Sequence, residues 1–194
     1  VDTHAHLRPT FGVHKAQPWA YLANLAYGVT TTRDPQTGTT DVLTYGDLVE
    51  TGSIVGPRIY STGPGVFSAE QIKDLDHARD VLSRYSDYYD TKTIKMYTSG
   101  NRQQRQWILM AAREQELLPT TEGALDMKYN IEMILDGYPG QEHSFPIFPI
   151  YNDVVRLTAE TGLAYTPTLL VSYGGPFGEN YFYTRENPHD DQKL

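Results

Sequence analysis

The chain has 194 residues, no cysteine and a formal charge of −8 at pH 7. The absence of cysteine excludes disulfides, thiolate catalysis and cysteine-ligated zinc. No apolar run reaches the ~18 residues that suggest a membrane span. The acidic balance opposes binding to nucleic acid or to an anionic membrane surface, because either partner requires a basic face. We therefore expect neither partner, and the compartment stays open between cytoplasm and periplasm or secretion.

Short β-branched runs alternate with helical patterns along the chain, which is typical of repeated strand–helix units. The sequence predicts strands at residues 1–6, 29–33, 58–62, 93–97, 117–121, 140–143 and 164–171. A closed (β/α)8 barrel has eight strands, so these predict a TIM-like barrel present as an incomplete segment of about seven βα units. The barrel would occupy residues 1–175, and residues 176–194 would form a polar, aromatic tail. A doubly wound open sheet is the competing architecture, but no glycine-rich phosphate turn follows the first strand.

Local signals mark where the helices begin and end. Ser68 and Gln71 have the spacing of a capping box ahead of a helical apolar stripe. Asp126 is of a residue type that caps helix starts, and Gly137 is of the type that ends helices. Pro18 indicates the start of a helix, and Gly28 and Gly162 indicate the ends of helices.

The first predicted strand ends in a His-x-His pair, His4 and His6, within Asp2-Thr3-His4-Ala5-His6. Residues two apart in a strand point to the same side, so both imidazoles should face one way. Parallel barrels place their active sites at the carboxyl ends of the strands. Two convergent imidazoles suit a divalent transition metal such as zinc. A surface pair without function is the plain alternative.

Several further segments fall at successive strand ends in a characteristic order. They are Asp2-Thr3-His4-Ala5-His6 followed by Leu7-Arg8-Pro9, then residues 27–34, residues 93–97, Glu122-Gly123 and Glu142-His143-Ser144. This ordered set resembles the amidohydrolase superfamily of metal-dependent hydrolases. The resemblance is nearest to its imidazolonepropionase-like and prolidase-like branch, of the kind fused behind a TolB-like β-propeller. It implies that the chain is joined to further domains, which agrees with an opening at Val1 that carries no leader.

The resemblance also implies a chemistry. One or two divalent metal ions, most naturally zinc, would activate a water that attacks a C–N bond in an amide, a peptide or a cyclic amide. His4 and His6 would be ligands from the first strand, and His143 a ligand from the sixth. The general-acid/base aspartate of the superfamily follows the eighth strand, beyond Leu194, so no catalytic residue is assigned within the chain. The substrate would be a small molecule or peptide-like.

Lys95 and Glu122 are two further candidate metal ligands that each keep an alternative role. In binuclear members of the superfamily the lysine after strand four is carboxylated and bridges two metals; otherwise Lys95 would pair with Glu122 or Asp34. Glu122 stands where most relatives carry a histidine. Its carboxylate could bind the metal, or it could orient one of the histidines.

Three residues are candidates for contacting substrate: His14, Tyr97 and Tyr173. A loop histidine is otherwise simply solvated, and clustered aromatics are otherwise packing. A non-catalytic barrel, or an incomplete fragment that binds a ligand or partner, is the alternative to the hydrolase. Glycoside hydrolysis by Glu122 with Glu142 is disfavoured, because side-chain alternation should turn Glu142 away from the site if His143 faces it.

Overall fold

A computed structural model of the protein describes residues 1–7 and 15–168. Within these ranges helices and short strands alternate. The helices are α1 (Trp19–Ala26), α2 (Asp41–Glu50), α3 (Leu75–Ser83), α4 (Arg102–Glu114), α5 (Met127–Asp136) and α6 (Asn152–Thr161). The strands are β1 (Thr31–Asp34), β2 (Arg58–Ser61), β3 (Thr93–Met96), β4 (Leu118–Thr121), β5 (Gly140–Glu142) and β6 (Ala164–Thr166). None of the helices in this part of the chain combines the length and the apolar character that crossing a membrane requires.

All strand pairs are parallel, and neighbours follow one another in chain order. β1 pairs with β2, and β3, β4, β5 and β6 form a second run. The segment after β2 links the two runs, because Val66 forms a parallel bridge to Met96 of β3. In the described ranges the order never reverses, whereas a doubly wound sheet requires a reversal. The α/β class with parallel strands is thus confirmed.

The first predicted strand is shorter than expected. Asp2 forms a single parallel bridge to Thr32 of β1, and beyond it the Ala5 backbone N–H donates to the Arg33 carbonyl oxygen. The chain then bends, because the Asp2 carboxylate accepts a hydrogen bond from the His4 backbone N–H at 2.9 Å. The array is curved, since His4 at its start contacts Glu142 of β5 at 2.8 Å. This curvature brings the carboxyl ends of distant strands together.

The interior covers strand β3 on both faces. In β3, Ile94, Lys95 and Met96 are each fully buried, as expected for a parallel strand covered on both faces. The main apolar cluster joins β3 to α3 and α4, with Leu82 and Ile108 among its fully buried members. A buried lysine in such a strand has to be paired with an opposite charge or a hydrogen-bond acceptor.

Most predicted helix boundaries are confirmed, and one is wrong. The Asp126 side chain accepts from the Lys128 N–H at 2.9 Å, and Gly137 ends α5 in a left-handed conformation with φ 91°. The capping box predicted at Ser68 does not start a helix: residues 68–70 form one 3-10 turn, and α3 begins after Asp74, whose side chain accepts from His77 N–H. A local pattern cannot tell which of two nearby acceptors starts a helix.

An ion pair ties the start of α4 to the end of α5. Arg102 places Nη2 2.7 Å from Asp136 Oδ1 and Nε 3.0 Å from Oδ2. Each residue alone stands at the unfavourable end of its helix dipole, so the pair offsets both charges. The hydrogen bond from Arg102 lowers the pKa of Asp136 below its ordinary value, and burial only partly opposes this.

We predict that Asp136→Asn lowers the free energy of unfolding at neutral pH, and that the difference from wild type closes in acid. Because the pKa of Asp136 is lowered in the folded chain, its contribution is present above the ordinary aspartate pKa of about 3.9 and is lost as the pH falls below it. Urea unfolding across this range measures the difference. Glu160→Gln, in the exposed pair with Arg156, is the control. If the difference in unfolding free energy between wild type and Asp136→Asn stays constant in acid, the Arg102–Asp136 pair is not the source of the pH dependence.

Candidate active site

The predicted ligands lie together at the carboxyl ends of the strands. Lys95 is on β3, and Glu122 and His143 directly follow β4 and β5. His4 follows the bridge at Asp2, next to β1. Because the strands are parallel, all of these positions meet at one edge of the array.

The three predicted imidazole ligands form one cluster. The ring centroids of His4 and His6 are 5.1 Å apart, and those of His4 and His143 are 4.9 Å apart. Two imidazoles on one tetrahedral zinc, with Zn–N distances of about 2.0–2.1 Å, place their centroids roughly 5 Å apart. The spacing therefore matches rings that share a small cation.

Hydrogen bonds at Nδ1 orient the His-x-His pair. His4 Nδ1 lies 2.8 Å from Glu142 Oε2, and His6 Nδ1 lies 3.0 Å from the Gln36 carbonyl oxygen. A carbonyl and an ionised carboxylate are acceptors only, so in the neutral ring each Nδ1 carries the proton and each Nε2 carries the lone pair. The buried Asp34 carboxylate accepts from the Leu7 N–H at 2.9 Å and fixes the chain just after His6.

Glu122 lies between Lys95 and His143. Its Oε2 is 2.5 Å from Lys95 Nζ, and its Oε1 is 3.1 Å from His143 Nε2. Burial acts to raise the pKa of Glu122, but the hydrogen bond from His143 and the Lys95 charge outweigh it and lower the pKa. The sequence leaves Lys95 either paired with Glu122 or carboxylated; the unmodified side chain makes the pair, and carboxylation stays a prediction.

Glu142 also faces the cluster, contrary to the side-chain alternation argument. Its carboxylate contacts Arg33 Nη1 at 2.6 Å as well as His4. Burial acts to raise its pKa, yet the hydrogen bond from His4 and the charges of Arg33 and Lys95 lower the pKa to about 2. Sequence reasoning missed this residue, and the identity of its neighbour in the sequence was no guide to it.

The backbone explains why adjacent side chains both reach the cluster. β5 ends at Glu142, and His143 has a left-handed conformation with φ 68°. Side-chain alternation holds only while the backbone is extended, so it does not relate Glu142 to His143. Gly123 makes the matching close approach from β4, because a Cβ there would stand 2.7 Å from the Glu142 backbone oxygen.

Of the predicted substrate contacts, the structure describes Tyr97 alone. Lys95 Nζ lies 4.8 Å from the Tyr97 ring centroid, and Phe67 stacks on the same ring at 4.4 Å. Tyr97 therefore lies beside the cluster, as expected of a rim residue. His14 and Tyr173 lie outside the described residues. Tyr165 of β6 packs on Phe145 in an apolar cluster.

Solved structures share this fold, while no family model and no curated protein matches the chain. A Xaa-Pro dipeptidase with bound methionine in its active site matches with a TM-score of 0.66 and 14% identity, over 87% of this chain and 52% of that one. A putative prolidase from Bifidobacterium longum matches with a TM-score of 0.61 and 19% identity, over 78% and 42%. Phenylurea hydrolase B matches with a TM-score of 0.61 and 15% identity, over 75% and 43%.

These likenesses establish the α/β fold. The chain spans about half the length of each matched structure, between 42% and 52%. At 14–19% identity they carry no assignment of individual residues.

The donor set suits a divalent cation, although its side chains are held in ion pairs. In residues 1–7 and 15–168, no three His, Asp or Glu side chains stand in a ready coordinating arrangement. His143 Nδ1 is nevertheless buried without a hydrogen-bond partner among the described atoms. Three neighbouring imidazoles and an anionic Glu122 are nitrogen and oxygen donors that zinc accepts. The donor types and the ring spacing thus suit such an ion, and Glu122 and His143 would have to leave their ion pairs to coordinate it.

A cleft opens at the amino ends of the strands, opposite the histidine cluster. It has a volume of about 1220 Å³ and is lined by residues at the strand starts, including Thr31, Arg58 and Thr93. The histidines lie at the opposite ends. Parallel α/β folds, whether barrels or open sheets, bind ligands at the carboxyl ends of their strands, so the size of this cleft does not make it the active site.

We predict that Gly123→Ala destabilises the chain more than Gly52→Ala. Both glycines are left-handed, with φ 77° and 72°, so alanine at either costs about 1–2 kcal/mol. A Cβ at Gly52 meets nothing within 4 Å, whereas at Gly123 it meets backbone. Denaturant unfolding measures the loss of unfolding free energy in each variant. The additional loss in Gly123→Ala therefore reports the contact with Glu142. Equal losses for the two variants would contradict the close approach.

Proposed function

We propose that this chain carries the metal-binding part of a metal-dependent hydrolase that cleaves C–N bonds by an activated water. His4, His6 and His143 are the proposed ligands, with Glu122 and Lys95 as further candidates. A divalent ion held there, most naturally zinc, would acidify a water and polarise a carbonyl. The number of ions, one or two, depends on whether Lys95 is carboxylated.

The observation that carries this proposal is the three-imidazole cluster at the carboxyl ends of the strands. Its centroid spacings of 5.1 and 4.9 Å are those of rings around a small cation. Its Nδ1 hydrogen bonds leave the lone pairs of His4 and His6 on Nε2. The barrel architecture, with the unbroken parallel strand order in its favour, would place this cluster at the mouth where substrate enters.

The residues of the chain would divide the remaining work among them. His4 and His6 are held rigidly by Glu142 and Gln36, so their positions cost little ordering when a ligand arrives. Glu122 is anionic and can exchange its contact with Lys95 for one with a cation. Tyr97 lies beside Lys95 and offers an aromatic face with a polar tip to a bound substrate.

The substrate class follows from the bond that such a site cleaves. The matched dipeptidase, prolidase and phenylurea hydrolase are named for substrates in which nitrogen is bonded to a carbonyl carbon. We therefore propose an amide, a dipeptide or a cyclic amide as the substrate of the whole protein. Linkage of this chain to further domains belongs to the same proposal.

A non-catalytic, ligand-binding barrel is the competing proposal, and one observation favours it. Lys95, Glu122 and His143 already satisfy one another's charge, with contacts of 2.5 and 3.1 Å. Such a network requires no metal to be stable. Metal binding separates the two functions directly.

We predict that the wild-type chain binds about one or two equivalents of Zn²⁺ and that His143→Ala weakens binding more than a hundredfold. Loss of a ligand should exceed the roughly 10–100-fold effect typical of losing an outer-shell partner. Competition with a chromophoric chelator measures the affinity of the chain, and hydrolysis of an Xaa-Pro dipeptide and a phenylurea by the zinc-loaded whole protein measures activity.

His77→Ala is the matched control for this experiment, because His77 lies on the first turn of α3 and outside the cluster. It should bind zinc as the wild type does. Failure of the wild-type chain to bind zinc, manganese or cobalt after reconstitution would refute the metal site and favour the non-catalytic barrel. Equal affinities in wild type and His143→Ala would place any bound metal elsewhere.

A further inference from the structure

Glu142 is a buried carboxylate outside the proposed ligand set, and each of its oxygens has a different partner. The side chain is 1% exposed. Arg33 Nη1 donates to Oε1 at 2.6 Å, and His4 Nδ1 lies 2.8 Å from Oε2. A carboxylate in this position accepts from both sides. The proton of the His4 contact therefore sits on Nδ1.

Arg33 holds Glu142 in this orientation. Its Nη2 donates to Thr120 Oγ1 at 3.1 Å on β4, while Nη1 also reaches the Thr3 carbonyl oxygen at 3.4 Å. A guanidinium is planar and stays charged, so it presents fixed donors to Oε1. Rotation of the carboxylate away from His4 would break these contacts.

The remaining contact of His4 agrees with the same tautomer. Thr168 Oγ1 lies 3.2 Å from His4 Nδ1, and its hydroxyl donates to the Thr166 carbonyl oxygen at 3.3 Å. With its hydrogen directed there, the hydroxyl oxygen can only accept from His4. Both neighbours of Nδ1 are thus acceptors, and the lone pair of the ring is on Nε2.

We propose that Glu142, anchored by Arg33, is a positioning residue that sets the His4 tautomer and presents Nε2 to a divalent cation. A carboxylate that binds the distal N–H of a ligand histidine fixes its ring and raises its basicity. The presentation of Nε2 to a cation rests on the proposed function. The tautomer of His4 is a property of the metal-free chain and does not depend on that function.

Long-range ¹⁵N–¹H spectra of the metal-free wild-type chain show directly which ring nitrogen of His4 carries the proton. At about pH 8, where an ordinary imidazole is neutral, the two ring nitrogens of His4 have distinct shifts in each tautomer. We expect a protonated Nδ1 and an unprotonated Nε2. A protonated Nε2 in wild type would overturn the assignment, and this result requires no variant.

Glu142→Gln is the decisive variant because it keeps the shape of the side chain. The single amide oxygen should face the donors of Arg33, which leaves the amide NH₂ facing His4 Nδ1. Nδ1 would then have to accept, and the His4 proton would move to Nε2. We expect that switch together with zinc binding weakened roughly 10–100-fold. A merely structural role would lower stability without moving the proton.

Thr168→Val is the matched control, since it removes the other contact of Nδ1 and keeps Glu142. It should retain the wild-type tautomer and bind zinc within about threefold of wild type, the scatter we allow for a lost neutral contact. Glu142→Gln with an unchanged tautomer and unchanged zinc affinity would overturn the proposal. A third outcome separates the two proposals: the His4 tautomer switches in Glu142→Gln, but the wild-type chain binds no zinc. That result would refute the metal site and still support the role of Glu142 at His4.

Discussion

The carboxylate of Glu142 joins the start of the strand array to β5, and the geometry of the candidate site depends on it. Arg33 of β1 and His4 approach this one side chain of β5 from positions 109 and 138 residues earlier in the chain. A buried charge is costly to desolvate and is tolerated only when its partners satisfy it. Removing Arg33 would leave an uncompensated charge beneath the histidines, so the curvature of the array and the order of the site are coupled.

The candidate site is electrostatically balanced by two carboxylates with different surroundings. Glu142 is fixed by an arginine that cannot lose its proton. Glu122 is paired with a lysine and a histidine and is more exposed, at 28% against 1%. The fixed carboxylate suits the orientation of a ligand, and the exchangeable one suits the binding of a cation. This division gives the proposed hydrolase a physical basis that fold similarity to half-matched hydrolases could not supply.

Much of the fold follows from short-range patterns. Strand–helix alternation located the units, and Asp126, Gly137 and Gly162 marked helix ends that the backbone confirms. These signals are local, because a cap or a left-handed glycine acts within one helical turn. The first strand is shorter than predicted, with one bridge at Asp2 and one further backbone hydrogen bond at Ala5. Local propensity does not determine how far a segment pairs with another strand.

The sequence by itself determined which chemical groups are available and that they stand at strand ends: His4, His6, Lys95, Glu122 and His143. Tertiary structure alone decided how they are used. The left-handed backbone at His143 cancels side-chain alternation there, and so Glu142 faces the site that periodicity turned it away from. Periodicity assumes regular backbone, whereas ion pairs and ring contacts between residues a hundred positions apart depend on how the whole array curves.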